Sequence, residues 1–388
     1  MIQRHGLNEK NSSVRSDPCN SDSISTQHEE DRFIDMGITI KKKTYRLSMN
    51  WFDYKEVFCS SGIPKEFNPN FKNPCWCEHD GGNKTRLRCL PYFSVIGVAK
   101  SGTSDLYSAL TSQSLIMSGR GKEAHWLTMG FFRKGKPFKW YLDYYQGSAD
   151  KIAEYTFEHQ DRMKGPVIGD FTPGTFFRWG FAADYISKHD GTLLFKNIPE
   201  LVYNINRNTK LIVIMRDPVT RLSSDFNHFY GKVFTPQVFH NSVTRSIMLW
   251  QECVSNRPEL ECATSTERWM KVSLTRINAG LYHIYLKEWF KVFPRKQFHI
   301  VKFEDYSRNR THVVKSILDF LDVRTDIAGG EKDYNETPIQ NKKRYPDMMP
   351  KTRELLQHFY RPHNEQLVAL LNDNNFNWNS DYASQSVV

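Results

Sequence analysis

The sequence predicts an α/β domain with a central, mostly parallel sheet flanked by helices. Three observations predict it. From Pro91 onward, short apolar runs alternate with longer segments of helical character, the pattern of successive βα units. The run 92–98 leads straight into Ala99-Lys100-Ser101-Gly102-Thr103, a tight strand-to-helix turn. A second run, 211–215, stops at Arg216-Asp217-Pro218, where aspartate is a fitting N-cap and proline a fitting first helical residue.

The elements follow in order. Residues 1–44 are rich in Ser, Asn, Asp and Gln and are expected to be disordered. Residues 45–90 carry cysteines among scattered Pro, Asn and Gly, and read as an irregular, stapled extension. The main domain is expected over 91–379, with a frayed tail at 380–388. Within it, strands are expected at 93–98, 167–169, 211–215 and 299–303. Helices are expected at 104–112, 218–230, 279–290, 313–321 and 351–371. No internal repeat is visible.

Composition narrows the function. The 388 residues are 39% hydrophobic and 14% aromatic, enough for a large core. The formal charge of +10 suggests an acidic partner: nucleic acid, an anionic membrane or an acidic polysaccharide. No zinc-finger spacing or RNA-binding aromatic signature supports nucleic acid. Seven cysteines are present, at 19, 59, 75, 77, 89, 253 and 262. Four cluster between Cys59 and Cys89; Cys253 and Cys262 bracket a short polar loop and read as a local disulfide. Cys75-Trp76-Cys77 is too tight for a C-x-x-C metal or redox pair. The expectation is an oxidising compartment with up to three bridges and Cys19 left over; free buried thiols are the alternative. Sequons at Asn83 and Asn309 fit a secretory route. No signal peptide or membrane-spanning segment is visible, so a lumenal protein would lack its N-terminal anchor here.

The turn at 99–103 aims backbone N–H groups and a helix N-terminus at one spot, which suits a phosphate or sulfate. Gly102 permits close backbone approach, and Lys100 adds a point charge. A nucleotide-triphosphate loop would need Gly-Lys-Ser/Thr at its end. Here Gly97 and Gly102 have that spacing, but Thr103 occupies the lysine's place. The turn therefore suits a phosphate-like group rather than a magnesium-bound triphosphate; a plain strand–turn–helix is the other reading. Arg216 falls at the carboxyl end of a strand, where α/β sheets place ligands. Ser224 follows two helical turns later, so a guanidinium and a hydroxyl could grip a second phosphate; an ordinary exposed helix serine is the alternative.

The pair VAKSGTSDLY and IVIMRDPVTRLSSDF resembles the two cofactor loops of Golgi carbohydrate sulfotransferases, enzymes that use 3′-phosphoadenosine 5′-phosphosulfate (PAPS). The resemblance spans residues 45–378. Within that family, GDFTPGTFFRW, ECVSNRPELEC, INAGLYHIYLKEWFKVFPRKQF and LLQHFYRPHNEQL most resemble the N-acetylgalactosamine 4-sulfate 6-O-sulfotransferases of chondroitin sulfate. The resemblance implies a P-loop-like PAPS-dependent sulfotransferase fold. It implies that Lys100, Ser101, Gly102, Thr103 and Ser104 hold the 5′-phosphosulfate, and that Arg216 and Ser224 hold the 3′-phosphate. Lys342, Lys343 and Arg344 resemble the Lys-Gly-Arg loop that closes over the cofactor in heparan sulfotransferases, with Lys343 replacing the glycine; a solvated basic loop is the alternative.

A sugar hydroxyl must lose its proton as it attacks sulfur in line. Glu123-Ala124-His125-Trp126 resembles the Glu-x-His-aromatic motif that carries the base in related enzymes. Glu123 is the expected base, with a surface carboxylate as its other reading; His125 is the alternative base, or else orients the site or packs beside Trp126. Lys100 would also meet the charge that grows on the leaving phosphate. No metal is required by this scheme. For the acceptor, Asp170 lies in a loop resembling the family's acceptor side, and Phe171 occupies a place that is a catalytic lysine in some heparan enzymes. Arg133, Lys134 and Lys136, with Lys139 and Phe131, Phe132, Phe138 and Trp140, form a basic–aromatic stretch suited to a sulfated glycan, or a solvated basic loop. The expected activity is sulfate transfer from PAPS to the 6-hydroxyl of 4-sulfated N-acetylgalactosamine in chondroitin or dermatan, in the Golgi lumen or secretory pathway. The rivals are another glycan or position, such as heparan or a uronyl hydroxyl, and a non-catalytic binder of acidic polysaccharide.

Overall fold

Strands β1 (Cys75–His79) and β2 (Thr85–Cys89) form an antiparallel hairpin, with Cys75 opposite Cys89 and a disulfide joining them. The computed structural model describes residues 63–64, 66–79, 85–159, 165–188, 196–230, 235–265, 274–323, 334–335 and 347–385. Of its two compact units, 1–63 and 64–388, the described residues belong to the second, Ile63 aside. The hairpin lies where an irregular segment is expected. Its strands carry Glu78, Arg86 and Arg88 instead of an apolar run, so hydrophobic pattern does not reveal them. Glu78 accepts from the Nε atoms of Arg86 at 2.7 Å and Arg88 at 2.8 Å. The buried Arg88 also donates to Asp143 and Gln146 at 2.7 and 2.6 Å, binding the hairpin to the helices that follow.

The central sheet has five parallel strands: β3 (Phe93–Gly97), β4 (Ile116–Ser118), β5 (Val167–Asp170), β6 (Lys210–Met215) and β7 (Phe298–Lys302), in the order β4-β5-β3-β6-β7. In register, Ser94 faces Asp170 on one side and Leu211 on the other. Leu211 to Met215 are all 0% exposed, as expected for a continuous apolar strand covered on both faces. Each such side chain contributes roughly 1.5–3 kcal/mol by burial. β4 was not expected, since three residues carry too little periodicity to read.

Six helices position the site: α1 (Thr103–Thr111), α2 (Pro218–Tyr230), α3 (Tyr282–Val292), α4 (Arg310–Leu321), α5 (Pro350–Leu371) and α6 (Trp378–Gln385). α2 begins at the Asp217-Pro218 signal: the Asp217 carboxylate accepts from the N–H groups of Val219 and Thr220 at 3.1 and 3.2 Å. The single helix expected over 279–290 divides into a 3₁₀ turn, Ile277–Gly280, and α3. A long helix over Pro236–Val254 was not anticipated. Residues 380–385, expected to fray, belong to α6, held by Tyr382, which is buried and donates to Asp217 at 2.6 Å. The apolar faces of α1 and α4 close one side of the sheet through Leu106, Leu110, Val314, Ile317 and Leu318 against Val95, Ile212 and Ile214.

A second disulfide joins Cys253 to Cys262, the local pair the sequence suggests. Among the described residues Cys77 is exposed and unbridged, while Cys19 and Cys59 lie outside them. No described helix is long and apolar enough to cross a membrane.

Candidate active site

The site opens at the carboxyl ends of β3 and β6. β3 is central, with β5 and β6 as its neighbours, so the chain leaves the sheet in opposite directions there, and a crevice results. The turn after β3 places Lys100 at φ +73° and Gly102 at φ +79°. A Cβ on Gly102 would lie 2.7 Å from the Phe303 ring, so only glycine lets this turn pass beneath that side chain. Ala99, Lys100, Gly102, Thr103 and Ser104 all face a cavity of about 710 Å³. Ser101 does not. It is 0% exposed, its N–H donates to Val98 O at 3.2 Å, and its hydroxyl is buried without a hydrogen-bond partner. The structure thus places Ser101 inside the turn and off the cavity wall.

Arg216 reaches the same cavity from the end of β6. Its Nε donates to Thr220 Oγ1 at 3.0 Å, its Nη1 to Lys100 O at 3.4 Å, and its guanidinium lies 4.9 Å from the Phe303 ring centre. Tyr282 donates to the Arg216 carbonyl at 2.7 Å and holds the strand end in place. Burial lowers the Arg216 pKa, although Glu304 and Asp217 oppose this. Ser224 lines the cavity beside Thr220 and Ser223 on α2, which lifts it out of the class of ordinary surface serines.

Glu123 and His125 line the same cavity. His125 Nε2 lies 2.9 Å from Glu123 Oε2, and its Nδ1 is 3.3 Å from Thr128 Oγ1. Lys122 pairs with the other Glu123 oxygen. Burial by itself would raise the Glu123 pKa, but the His125 hydrogen bond and the Lys122 charge outweigh it and hold the carboxyl at about 2. Glu123 is therefore ionised at neutral pH and firmly paired.

Several lining residues were not foreseen. Arg178, Arg276, Arg310 and Arg353, with Asp105 and Asp225, complete a wall bearing seven Lys/Arg side chains against four carboxylates among the described residues. Asp225 is buried between Arg221 and Arg276, accepting from Arg276 Nε at 2.9 Å. Tyr306 donates to Asp105 at 2.6 Å and Arg310 pairs with the same carboxylate, anchoring the start of α1 to α4. These residues are distributed over α1, α2, α4, α5, the turn after β5 and the turn before Ile277, so no local motif announces them.

The expected acceptor residues lie elsewhere. Asp170 is 4% exposed and accepts from Tyr141 Oη at 2.8 Å and Thr172 Oγ1 at 2.5 Å. Burial raises its pKa. It is a buried, hydrogen-bonded carboxylate that does not line the cavity. Phe171 is core, with its ring edge-on to those of Phe93 and Tyr107. Arg133 stacks on Phe181 at 5.3 Å and Lys136 on Trp140 at 3.4 Å, Lys134 is exposed, and none of the three lines the cavity. Lys342, Lys343 and Arg344 lie outside the described residues.

The sulfotransferase domain family matches residues 181–366. Over 384 residues the chain is 28% identical to carbohydrate sulfotransferase 15 of Homo sapiens, covering 84% of this chain and 68% of that protein. It is 33% identical over 154 residues to carbohydrate sulfotransferase 15 of Nototodarus sloanii, covering 36% of this chain and 96% of that one. It is 24% identical over 332 residues to the bifunctional heparan sulfate N-deacetylase/N-sulfotransferase of Drosophila melanogaster, covering 79% of this chain and 29% of that one.

Proposed function

Because the chain belongs to the carbohydrate sulfotransferase family, we propose that it transfers sulfate from PAPS to the 6-hydroxyl of 4-sulfated N-acetylgalactosamine in a chondroitin- or dermatan-type chain. The observation that carries this reading is one cavity holding the Lys100 turn, Arg216 and Glu123 together, with cations in excess. The residues fit PAPS. The turn at Gly102 is a cradle that a side chain would block, and the cavity wall offers cations from two strand ends.

PAPS supplies a sulfuryl group on a phosphate that can leave. Lys100, Gly102, Thr103 and Ser104 bind that phosphate end, with Lys100 stabilising the charge that develops there. Arg216 and Ser224 bind the 3′-phosphate from the end of β6 and the face of α2. Glu123 takes the proton of the acceptor hydroxyl. Its pairing has a consequence, since a carboxylate held at about 2 is a weak base. An anion that engages Lys122 weakens one of the charges holding Glu123 down and so raises its basicity, while the His125 hydrogen bond remains. His125 keeps the carboxylate aimed into the cavity through the 2.9 Å contact. Two disulfides support a secretory location.

The test is transfer from labelled PAPS to chondroitin, dermatan, heparan and keratan chains, followed by disaccharide analysis. Label at the 6-position of 4-sulfated N-acetylgalactosamine is the expected product. Label on heparan alone would discard this acceptor, and no transfer to any chain would discard the reaction.

A further inference from the structure

Arg178 lies in the turn that follows β5 and lines the cavity. Its N–H donates to Gly174 O at 2.8 Å. A Cβ on Gly174 would lie 2.8 Å from Arg178 Cδ, so the arginine stem rests directly on that glycine. The side chain is half-buried, yet its guanidinium makes no hydrogen bond or ion pair among the described residues. Arg353 on α5 aside, its cationic neighbours in the cavity are engaged. Arg216 bonds to Thr220 and to a carbonyl, Arg276 and Arg310 are paired with aspartates, and Lys122 is paired with Glu123. A half-buried, unpaired guanidinium carries a desolvation cost that an anion would relieve. Burial and the nearby Arg276 charge both lower its pKa, in keeping with that.

Two facts say which anion. The donor phosphates have their own cations at the ends of β3 and β6, whereas Arg178 arrives from the β5 side and feels the charges of Asp225 and Glu123. The acceptor hydroxyl must approach Glu123, so an anion reaching Arg178 belongs to the acceptor, close to the reacting hydroxyl. The five N–H donors of a guanidinium match two oxygens of a sulfate at once. Resting on the reading of this cavity as a sulfotransferase site, we propose that Arg178, seated on Gly174, binds a sulfate ester already present on the acceptor sugar and selects sulfated over unsulfated chains.

The test measures direct binding of a chondroitin 4-sulfate tetrasaccharide and of its unsulfated counterpart, which keeps the uronate carboxylates. It uses the full chain, Arg178→Gln, Arg178→Lys and Gly174→Ala. The wild type is expected to bind the sulfated sugar about tenfold tighter. Arg178→Gln should erase that ratio while leaving affinity for 3′-phosphoadenosine 5′-phosphate within about twofold. Arg178→Lys should keep part of it. Gly174→Ala should erode it without any change of charge, because its Cβ displaces the arginine stem. Equal loss for both sugars would mean Arg178 reads a carboxylate or only shapes the wall, and would overturn the proposal. So would a tenfold loss of the nucleotide alone, or a wild type that does not distinguish the two sugars. If the sulfate preference holds and depends on Arg178 while no transfer is detected, the reaction fails and the anion site stands.

Discussion

Arg216 Nη1 lies 3.4 Å from the carbonyl oxygen of Lys100, across a sequence separation of 116 residues. The contact joins the turn after β3 to the end of β6, two segments that line the cavity. Arg216 thus faces the cavity and serves as a strut between two loops. Its neighbours Thr220 and Phe303 restrict its side chain further, so little rotamer freedom remains to be lost on binding.

Arg216→Ala is expected to weaken 3′-phosphoadenosine 5′-phosphate binding about 10- to 100-fold, the loss of a charge-assisted pair worth about 1.5–3 kcal/mol. Arg216→Lys should recover only part, since an ammonium cannot span Thr220, the Lys100 carbonyl and a phosphate at once. Calorimetric titration with the nucleotide checks this. Unchanged affinity in both variants would remove Arg216 from the site.

Glu123→Gln is expected to lower kcat by about 10²- to 10⁴-fold with nucleotide affinity retained. The pH dependence has a definite sign. Glu123 is depressed to about 2 when folded, against about 4.5 for an ordinary glutamate. Its pairing therefore contributes stability that is present above the ordinary value and lost as pH falls toward 2. Lys122→Ala removes one of the lowering charges, so the acid limb of the kcat/KM profile should move to higher pH than in the wild type. An acid limb that stays in place would show that Glu123 is not the group whose protonation stops the reaction.

Gly102→Ala meets two obstacles: a left-handed φ of +79° and the Phe303 ring 2.7 Å from the new Cβ. Strain of about 1–3 kcal/mol should lower the melting temperature by several degrees and weaken nucleotide binding at least about tenfold, because the turn must shift. Differential scanning calorimetry and nucleotide titration check the two effects. A variant with wild-type affinity would mean that the close approach of this backbone is not used for binding.

Asp225→Asn leaves Arg221 buried and Arg276 without its carboxylate partner. Breaking such a buried pair costs about 3–5 kcal/mol. Burial would raise the Asp225 pKa, but Arg276 and Arg221 pull it below the usual carboxylate range. Its stabilising effect is thus present at neutral pH and lost on acidification. Urea unfolding should show a smaller drop in stability between pH 5 and pH 2 for Asp225→Asn than for the wild type, because the loss sets in only as pH falls through the ordinary aspartate value toward the lower folded one. Equal slopes would assign the acid sensitivity to other groups.

Sequence legibility tracked the distance over which each feature is organised. The strand cores, the Gly102 turn and the Asp217-Pro218 helix start are local, written in runs of fewer than about ten residues, and the structure contains them within a residue or two. The β1–β2 hairpin escaped because its strands are charged and are held by a disulfide and Arg88 rather than by apolar alternation. Asp170 was misplaced because a carboxylate after a strand has the same letters whether it faces a ligand or is buried and accepts from Tyr141.

By itself, the sequence determined the parallel α/β architecture, the strand-to-helix turns after β3 and β6, and the Cys253–Cys262 bridge. All depend on residue type at short spacing, which backbone geometry and side-chain chemistry translate directly. The tertiary structure decided that Lys100, Arg216 and Glu123 share one cavity, that Arg178 and Arg276 join them, and that Ser101, Asp170, Arg133, Lys134 and Lys136 do not line it. Those outcomes depend on which side chains find buried partners across 50 to 200 residues of chain, as Asp225 does with Arg276 and Asp105 with Arg310. Such pairings are settled by packing and desolvation in the assembled fold, where a charge is either matched or left facing the cavity for a ligand to meet.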